Sequence, residues 1–402
     1  MEICIMTTTL TAGRIKTGHK ARWALVALGI GAFGIGLTEF VIMGLLVEVA
    51  QSLSVSVPSA GLLISGYALG VTFGGPLLTL ATARLPHRNV ILALMAIFIL
   101  ANVLCAIAPS YGLLMLGRVI SGVAHGTFFG VGVVVAQSLV PPERKASAIA
   151  LVFTGLTLAT VLGLPFGTEL GQAFGWRATF WSVSGIGLLA LAASALSLPA
   201  GTHGETQANW RSLARLLRGA PLLALATTTL GYAGVFLVFT YIAPILTEVS
   251  AVAPSHVSRY LLLFGAGIVV GNLLGGRLAD RGLRPALLGT LAGLAAVILA
   301  MRLGMGNPAA AMISLFLFGA AAFSTLAPLQ AFMLRQSQGA STELASTLNI
   351  SAFNLANAIG AAIGGSAITA GWGLGSLFPL GATMPALAVL LTLLTFKSRE
   401  DS

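Results

Sequence analysis

The chain has 402 residues, 57% of them hydrophobic and 8% charged, with a mean hydropathy of +0.97. Soluble domains carry about 25% charged residues, so the composition excludes a soluble enzyme or binding module and implies a polytopic membrane protein. The net charge of +10 would suit nucleic acid, but the basic residues lie between apolar segments, and no nucleic-acid partner is expected.

Residues 1–22 form a polar, basic tail with Arg14, Lys16, Lys20 and Arg22, a composition that predicts a disordered cytoplasmic end. The first apolar segment is too long for a signal-peptide core and no Ala-x-Ala pattern follows it, so it reads as a retained helix. Twelve apolar segments follow, near 23–49, 59–83, 89–108, 111–139, 146–171, 178–199, 221–248, 258–280, 285–304, 309–333, 344–371 and 377–396. Each approaches the ~20 residues that a bilayer demands. The expected fold is an all-α integral membrane protein with twelve transmembrane helices in two six-helix bundles. The bundles are 23–199 and 221–397, with a polar cytoplasmic linker at 200–220 and a short tail at 398–402.

Lys and Arg set the orientation. With alternating connections, Arg177, Arg259 and Arg302 fall on one side, Arg118 falls inside the membrane, and the other 17 of the 21 basic residues share the side of both termini. Both termini are therefore expected in the cytoplasm of a cell whose inner (plasma) membrane holds the chain. Cys4 and Cys105 are the only cysteines, which predicts neither a disulfide framework nor a cysteine metal site. Phosphate loops, metal-ligand clusters and hydrolase triads are absent, so the chain does not read as an enzyme, and no cofactor or metal is expected.

Between Arg88 and Glu143, Arg118 is the only fully charged residue. A membrane-buried arginine costs at least a few kcal/mol and needs an acidic partner, backbone carbonyls or a wet cavity. Glu39, in Gly36-Leu37-Thr38-Glu39-Phe40, is the best acidic candidate. At ~1.5 Å per residue both lie ~10–15 Å from the outer surface, so contact is possible. Burial favours the neutral acid and a guanidinium favours the carboxylate; the pair can couple protons to substrate or simply lock two helices. His125 lies two turns after Arg118 on the same face. It can relay protons, or it can be a satisfied histidine where Gly122 and Gly126 pack against another helix.

An internal repeat is visible. Gly74, Arg84, Gly163 and Gly167 recur as Gly271, Arg281, Gly360 and Gly364 at one offset of 197. The offset gives both halves the same orientation, as in fused parallel repeats. It also maps Arg118 to Leu315 and Glu39 to Phe236. The intramembrane charges therefore belong to the first half, which is expected to handle the proton. The second half is expected to shape a substrate cavity. There Tyr232, Tyr241, Asn272, Gln330, Asn354 and Asn357, with Asn349, are polar candidates suited to a neutral hydroxylated or amphipathic ligand. Helix–helix hydrogen bonds are the alternative for each.

Four stretches carry a family resemblance. Gly276-Arg277-Leu278-Ala279-Asp280-Arg281-Gly282-Leu283-Arg284, Gly117-Arg118-x3-Gly122-x3-Gly126, Gly163-Leu164-Pro165-Phe166-Gly167 and Thr38-Glu39-Phe40 together resemble the major facilitator superfamily. More narrowly they resemble its twelve-helix drug:proton antiporter branch and the arabinose-efflux-permease-like inner-membrane proteins. Departures exist: Ala83 and Pro86 replace an acid and a glycine beside Arg84, and Val47 stands where relatives often have proline. The resemblance implies that Gly155, Gly163, Pro165 and Gly167 seal helix 5 against proton leak. It also implies that Arg84, Arg88, Asp280, Arg281 and Arg284 latch a cytoplasmic gate. Close small-residue packing and a plain positive-inside cluster are the respective alternatives. The implied function is proton-coupled efflux of a small organic solute such as a sugar, a chloramphenicol-like drug or a nucleoside. The working unit would be a lipid-embedded monomer alternating its access. A facilitator or proton symporter, or a non-transporting membrane sensor, would be the alternatives.

Overall fold

Eleven helices among the described residues are long and apolar enough to cross a bilayer. The structure, a computed structural model, describes residues 19–141, 144–199, 210–338 and 342–400. Most of the N-terminal tail and of the expected linker, with Arg14, Lys16 and residues 200–209, lies outside them. The first half contains α1 (Ala21–Gly44), α2 (Val57–Thr82), α3 (His87–Ile107), α4 (Tyr111–Ser138), α5 (Ala148–Phe174) and α6 (Trp176–Ser197). The second contains α7 (Gly219–Phe239), α8 (Pro254–Arg281), α9 (Leu283–Gly304), α10 (Pro308–Gln336) and α12 (Leu374–Phe396). The twelfth rod, α11 (Thr342–Thr369), is as long as the others with 28 residues. Asn349, Asn354 and Asn357 set it apart in polarity.

The packing order is the same in both halves. Helix α1 packs on α5 and α6, α3 on α4 and α6, and α2 on α4; correspondingly α7 packs on α11 and α12, α9 on α10 and α12, and α8 on α10. The halves meet along α2–α11 and α5–α8.

The repeat extends to atomic contacts. A Cβ at Gly122 of α4 would run into the Tyr67 carbonyl and lie 3.2 Å from the Val71 nitrogen of α2. A Cβ at Gly319 of α10 would run into the Phe264 carbonyl and lie 3.2 Å from the Ile268 nitrogen of α8. All three residue pairs are 197 apart. Gly70 and Gly267 repeat the same relation, against the carbonyls of Val119 and Phe316. Backbone therefore meets backbone at glycine notches, the close approach that small residues permit in membranes.

Two expected helices are interrupted. Segment 23–49 breaks at Leu45 (φ −116°, ψ 17°) and resumes as a short helix, Leu46–Ser52. Segment 221–248 breaks at Tyr241 (φ −105°, ψ 22°) and resumes at Ile242–Pro244. Pro244 has no N–H to offer the preceding turn, which favours the second break without being required for it. At its repeat position stands Val47, and the first half makes the same break without the ring. Helices α2 and α5, both at the seam, each hold a π-helical turn, at Gly70–Gly74 and Ala159–Gly163. The described part of the linker carries a short helix, Trp210–Leu216, anchored by the buried Leu216.

Candidate functional site

The register of α4 places Arg118, Ser121, Gly122 and His125 among its buried residues. Arg118 is 0% exposed, yet its guanidinium does not form an ion pair with the Glu39 carboxylate. It donates to backbone oxygens instead: Nη1 to Thr38 O, Nη2 to Glu39 O at 3.3 Å, and Nε to Leu63 O at 3.5 Å. Its carbon lies 4.3 Å from the centre of the Tyr67 ring, a cation–π contact. Of the partners that a buried arginine can take, the protein supplies carbonyls from α1 and α2. Arg118 and Glu39 are neighbours, but through Glu39's backbone.

The partner of the Glu39 side chain is His125. Glu39 Oε2 lies 3.9 Å from His125 Nδ1. The same Nδ1 lies 3.0 Å from the Tyr67 hydroxyl. At 3.9 Å the carboxylate is outside hydrogen-bond reach, so a proton can pass between the two groups only after an approach of roughly 1 Å. The His125 ring packs on Phe129 at 5.2 Å, and Phe129 stacks on Phe153 of α5 at 5.2 Å. A polar chain supports the cluster: Thr38 Oγ1 donates to Asn102 Oδ1 (2.6 Å), and Asn102 Nδ2 donates to Ser121 Oγ (3.3 Å). Sequence reasoning missed Tyr67, Asn102 and Ser121. A signal for Tyr67 was available in the repeat, because its counterpart is Phe264; the hydroxyl is present only in the half that carries the charges.

The second half faces this cluster with aromatic rings. Phe40, next to Glu39, lies parallel to Phe236 of α7 at 6.4 Å. Tyr232 packs on Phe236 (5.5 Å), Phe353 (4.9 Å) and Phe323 (6.4 Å).

A family model described as Major Facilitator Superfamily matches residues 28–335. The chain belongs to the major facilitator superfamily. It is a multi-pass membrane transporter, not an enzyme. It is 44% identical over 383 residues to the inner membrane transport protein YdhP of Escherichia coli K12, covering 95% of this chain and 98% of that one. It is 33% identical over 373 residues to a chloramphenicol resistance protein of Streptomyces lividans, covering 91% and 94%. The crystal structure of a bacterial homologue of the human lysosomal transporter Spinster, inward-facing and unoccupied, superposes with a TM-score of 0.69 at 19% identity, covering 94% and 95%. That likeness bears on the fold.

Within this superfamily frame the remaining expected residues fall into separate places. Gln330 and Asn349 are consumed by helix–helix bonds: Asn349 Nδ2 donates to Gln330 Oε1 (2.6 Å), Gln330 Nε2 to Ser346 Oγ (3.0 Å) and Thr228 Oγ1 to Asn349 Oδ1 (2.8 Å). Tyr241 lies away from the charge cluster, at the end of the bundle remote from the termini. Its hydroxyl donates to Ala361 O (2.8 Å), and its ring fills notches at Gly61, Gly364 and Gly365. Asn272 is half-buried on α8. Tyr232 Oη, Asn354 Oδ1 and both polar side-chain atoms of Asn357 are buried with no partner.

The Asp280–arginine latch is not formed. Asp280, Arg281 and Arg84 are exposed, and the described residues hold no ion pair there. Arg88 donates to Ala195 O at the end of α6 (2.8 Å), and Arg284 lies 5.6 Å from the Phe396 ring of α12. Each is pinned within its own half. The helix 5 glycines seat α5 on α1. A Cβ at Gly155 would strike Gly29 O, one at Gly163 would lie 3.3 Å from Leu37, and one at Gly167 2.8 Å from Val41. Pro165 stands in the first turn of the helix after the π turn. At the remote end Gln172 joins the halves: Nε2 donates to Glu48 Oε1 (3.0 Å) and to Pro254 O of α8 (3.1 Å).

Proposed function

We propose that this transporter is a proton-coupled exporter of small organic solutes, working by alternating access between its halves in the inner membrane with both termini in the cytoplasm. One observation carries the reading: Glu39 is a membrane-buried carboxyl with a titratable neighbour, His125 at 3.9 Å, and it adjoins the ring pair that joins the two halves. Intramembrane ionisable residues mark proton and substrate pathways. Protonation of Glu39 removes the charge that faces His125, and loss of the proton restores it. A seam held by aromatic contacts beside that switch can respond to its state. Arg118, fixed by carbonyls, keeps a constant positive charge behind the acid. The resemblance to a chloramphenicol resistance protein supports the outward direction.

The test is export of a compound panel from efflux-deficient cells, comparing the natural chain with Glu39→Gln at matched expression. Gradient-driven export should vanish in the variant, and a protonophore should abolish it in the natural chain. Export that persists in Glu39→Gln with unchanged dependence on the gradient would remove Glu39 from coupling. Counterflow that proceeds without any pH gradient would favour a facilitator.

A further inference from the structure

The end of the bundle remote from the termini, outer in the orientation proposed above, carries a cavity of about 390 Å³ between the halves. Pro58, Ser59 and Leu62 of α2 form one wall, and Ala362, Ser366 and Thr369 of α11 form the other. The floor is the closed seam itself. A Cβ at Gly365 would run into the Tyr241 hydroxyl and lie 3.5 Å from the Pro58 Cβ. One turn deeper, Ser65 Oγ donates to Ala358 O across the halves (3.0 Å). The mouth opens toward lipid. Leu62 is exposed along with Leu69, Phe73 and Leu77 of the same helix, and their spacing puts all four on one apolar face. Ser366 and Thr369 are exposed on the facing helix.

We propose that this groove is a state-dependent site for a single lipid acyl chain of the outer leaflet, which braces α2 against α11 and favours the closed seam. The site itself does not depend on the exporter reading; its effect on turnover rests on the alternating access of that reading. The lining holds no charged or aromatic side chain among the described residues. Its hydroxyls are satisfied locally: Ser366 Oγ donates to Ala362 O (2.9 Å), Thr369 Oγ1 donates to Gly365 O (2.8 Å), and Ser59 Oγ lies 2.9 Å from Ser56 Oγ. Recognition is therefore by shape and apolarity, which a hydrocarbon chain has and the bilayer supplies at this depth. Moving a chain there from bulk lipid gains nothing hydrophobic, because lipid tails are as apolar as the walls. The gain is dispersion. An unfilled groove leaves wall atoms without neighbours, and a chain inside it touches two helices where a chain on an open helix face touches one. The walls belong to different halves, so that gain exists only while the remote end is shut. A ligand shifts an equilibrium by its differential affinity for the two states.

The test uses the full chain in lipid nanodiscs doped with a phosphatidylcholine whose acyl chain carries a diazirine. Ile313 is the depth-matched reference: it is exposed, and it is the sixth residue of α10 as Leu62 is the sixth of α2. Photolabelling, mapped by peptide mass, should be several-fold higher at 58–62 and 362–370 than at Ile313. Ser366→Phe adds a ring at the exposed lip and should lower groove labelling to the Ile313 level while the unfolding midpoint holds. Thr369→Phe serves if that variant folds poorly. The brace is read separately, in vesicles sealed with the remote end outward. There an impermeant maleimide labels Ser65→Cys in a Cys4→Ser, Cys105→Ala background, and a ring that cannot leave the groove should slow this several-fold. Equal labelling at the groove and Ile313 would mean boundary lipid only and overturns the proposal. So does groove labelling that the ring leaves unchanged, a stable dimer whose groove is protected by the second copy, or a maleimide rate that the ring does not lower. Groove labelling and a working brace without gradient-driven export would sink the exporter reading and leave the site standing. Gradient-driven export without groove enrichment would do the reverse.

Discussion

Gly122→Ala and Gly319→Ala make a matched pair that tests the notches and the site together. Each methyl would meet a carbonyl oxygen of the neighbouring helix, Tyr67 O for the first and Phe264 O for the second. Backbone oxygens cannot rotate away, so each helix pair must part by roughly 1 Å to restore ordinary contact. Overpacking of this kind costs about 1–3 kcal/mol. Helix propensity returns up to about 1 kcal/mol of that. The control is Gly185→Ala on α6, where an added Cβ meets nothing within 4 Å and the propensity gain stands alone. Unfolding midpoints in detergent should therefore fall by similar amounts in the two notch variants and hold or rise in the control. Transport should separate the pair. Parting α4 from α2 at Tyr67 pulls on the 3.0 Å contact between Tyr67 and His125 and on the Arg118–Leu63 bond; parting α10 from α8 touches neither. Gly122→Ala should lose export well beyond its loss of folded protein, and Gly319→Ala should lose export only in proportion. Equal midpoints for all three variants would refute the notch argument. Equal specific export for Gly122→Ala and Gly319→Ala would refute the dependence of the site on the α2–α4 spacing.

Two further outcomes are expected. Arg118→Lys should destabilise the protein by about 3–5 kcal/mol, the range for a buried charge that loses its partners, because one ammonium cannot reach the α1 and α2 carbonyls that the planar fork reaches; a melting curve matching that of the natural chain would contradict this. Gln172→Leu should loosen the seam at the remote end by about 1 kcal/mol and raise several-fold the rate at which an impermeant maleimide labels a cysteine placed at Ser59 in a Cys4→Ser, Cys105→Ala background. An unchanged labelling rate would show that the Gln172–Pro254 bond does not hold the halves.

The helix count and the duplication were readable in the sequence because both leave periodic signals: ~20-residue apolar runs, and glycines at one offset of 197. The offset proved more informative than expected, since whole contacts repeat along with the residues. The broken ends of α1 and α7 were not readable from a proline pattern, because only the second half has the ring, at Pro244. The partner of Arg118 was hidden for a different reason. Every helical residue carries a carbonyl, so sequence shows no difference between those that accept from a guanidinium and those that do not. An acid is visible, and Glu39 drew the inference that a carbonyl deserved. Among the second-half amides and phenols, Gln330 and Asn349 proved to be bonded, Tyr241 to be a plug, Asn354 to bond Ile350 O through its nitrogen alone, and Asn357 to be unpaired. The distinction depends on how far each helix is turned about its axis, and composition does not encode that angle.

The notches have a consequence for which parts of the molecule can yield. Where Gly122 meets the Tyr67 carbonyl, or Gly319 that of Phe264, there is no side chain whose rotation could absorb a displacement. Each couple is thus stiff at its notch. Across the seam, Gly265 of α8 meets the Val161 backbone of α5, and elsewhere rings and amides touch: Phe40 on Phe236, Tyr241 over Gly61, Gln172 at Pro254. Such groups have alternative rotamers close in energy and can swing aside one at a time. Stiffness and compliance are thereby set contact by contact: rigid where a glycine meets main chain, as at Gly122, Gly319 and the seam's Gly265, and yielding where rings and amides meet.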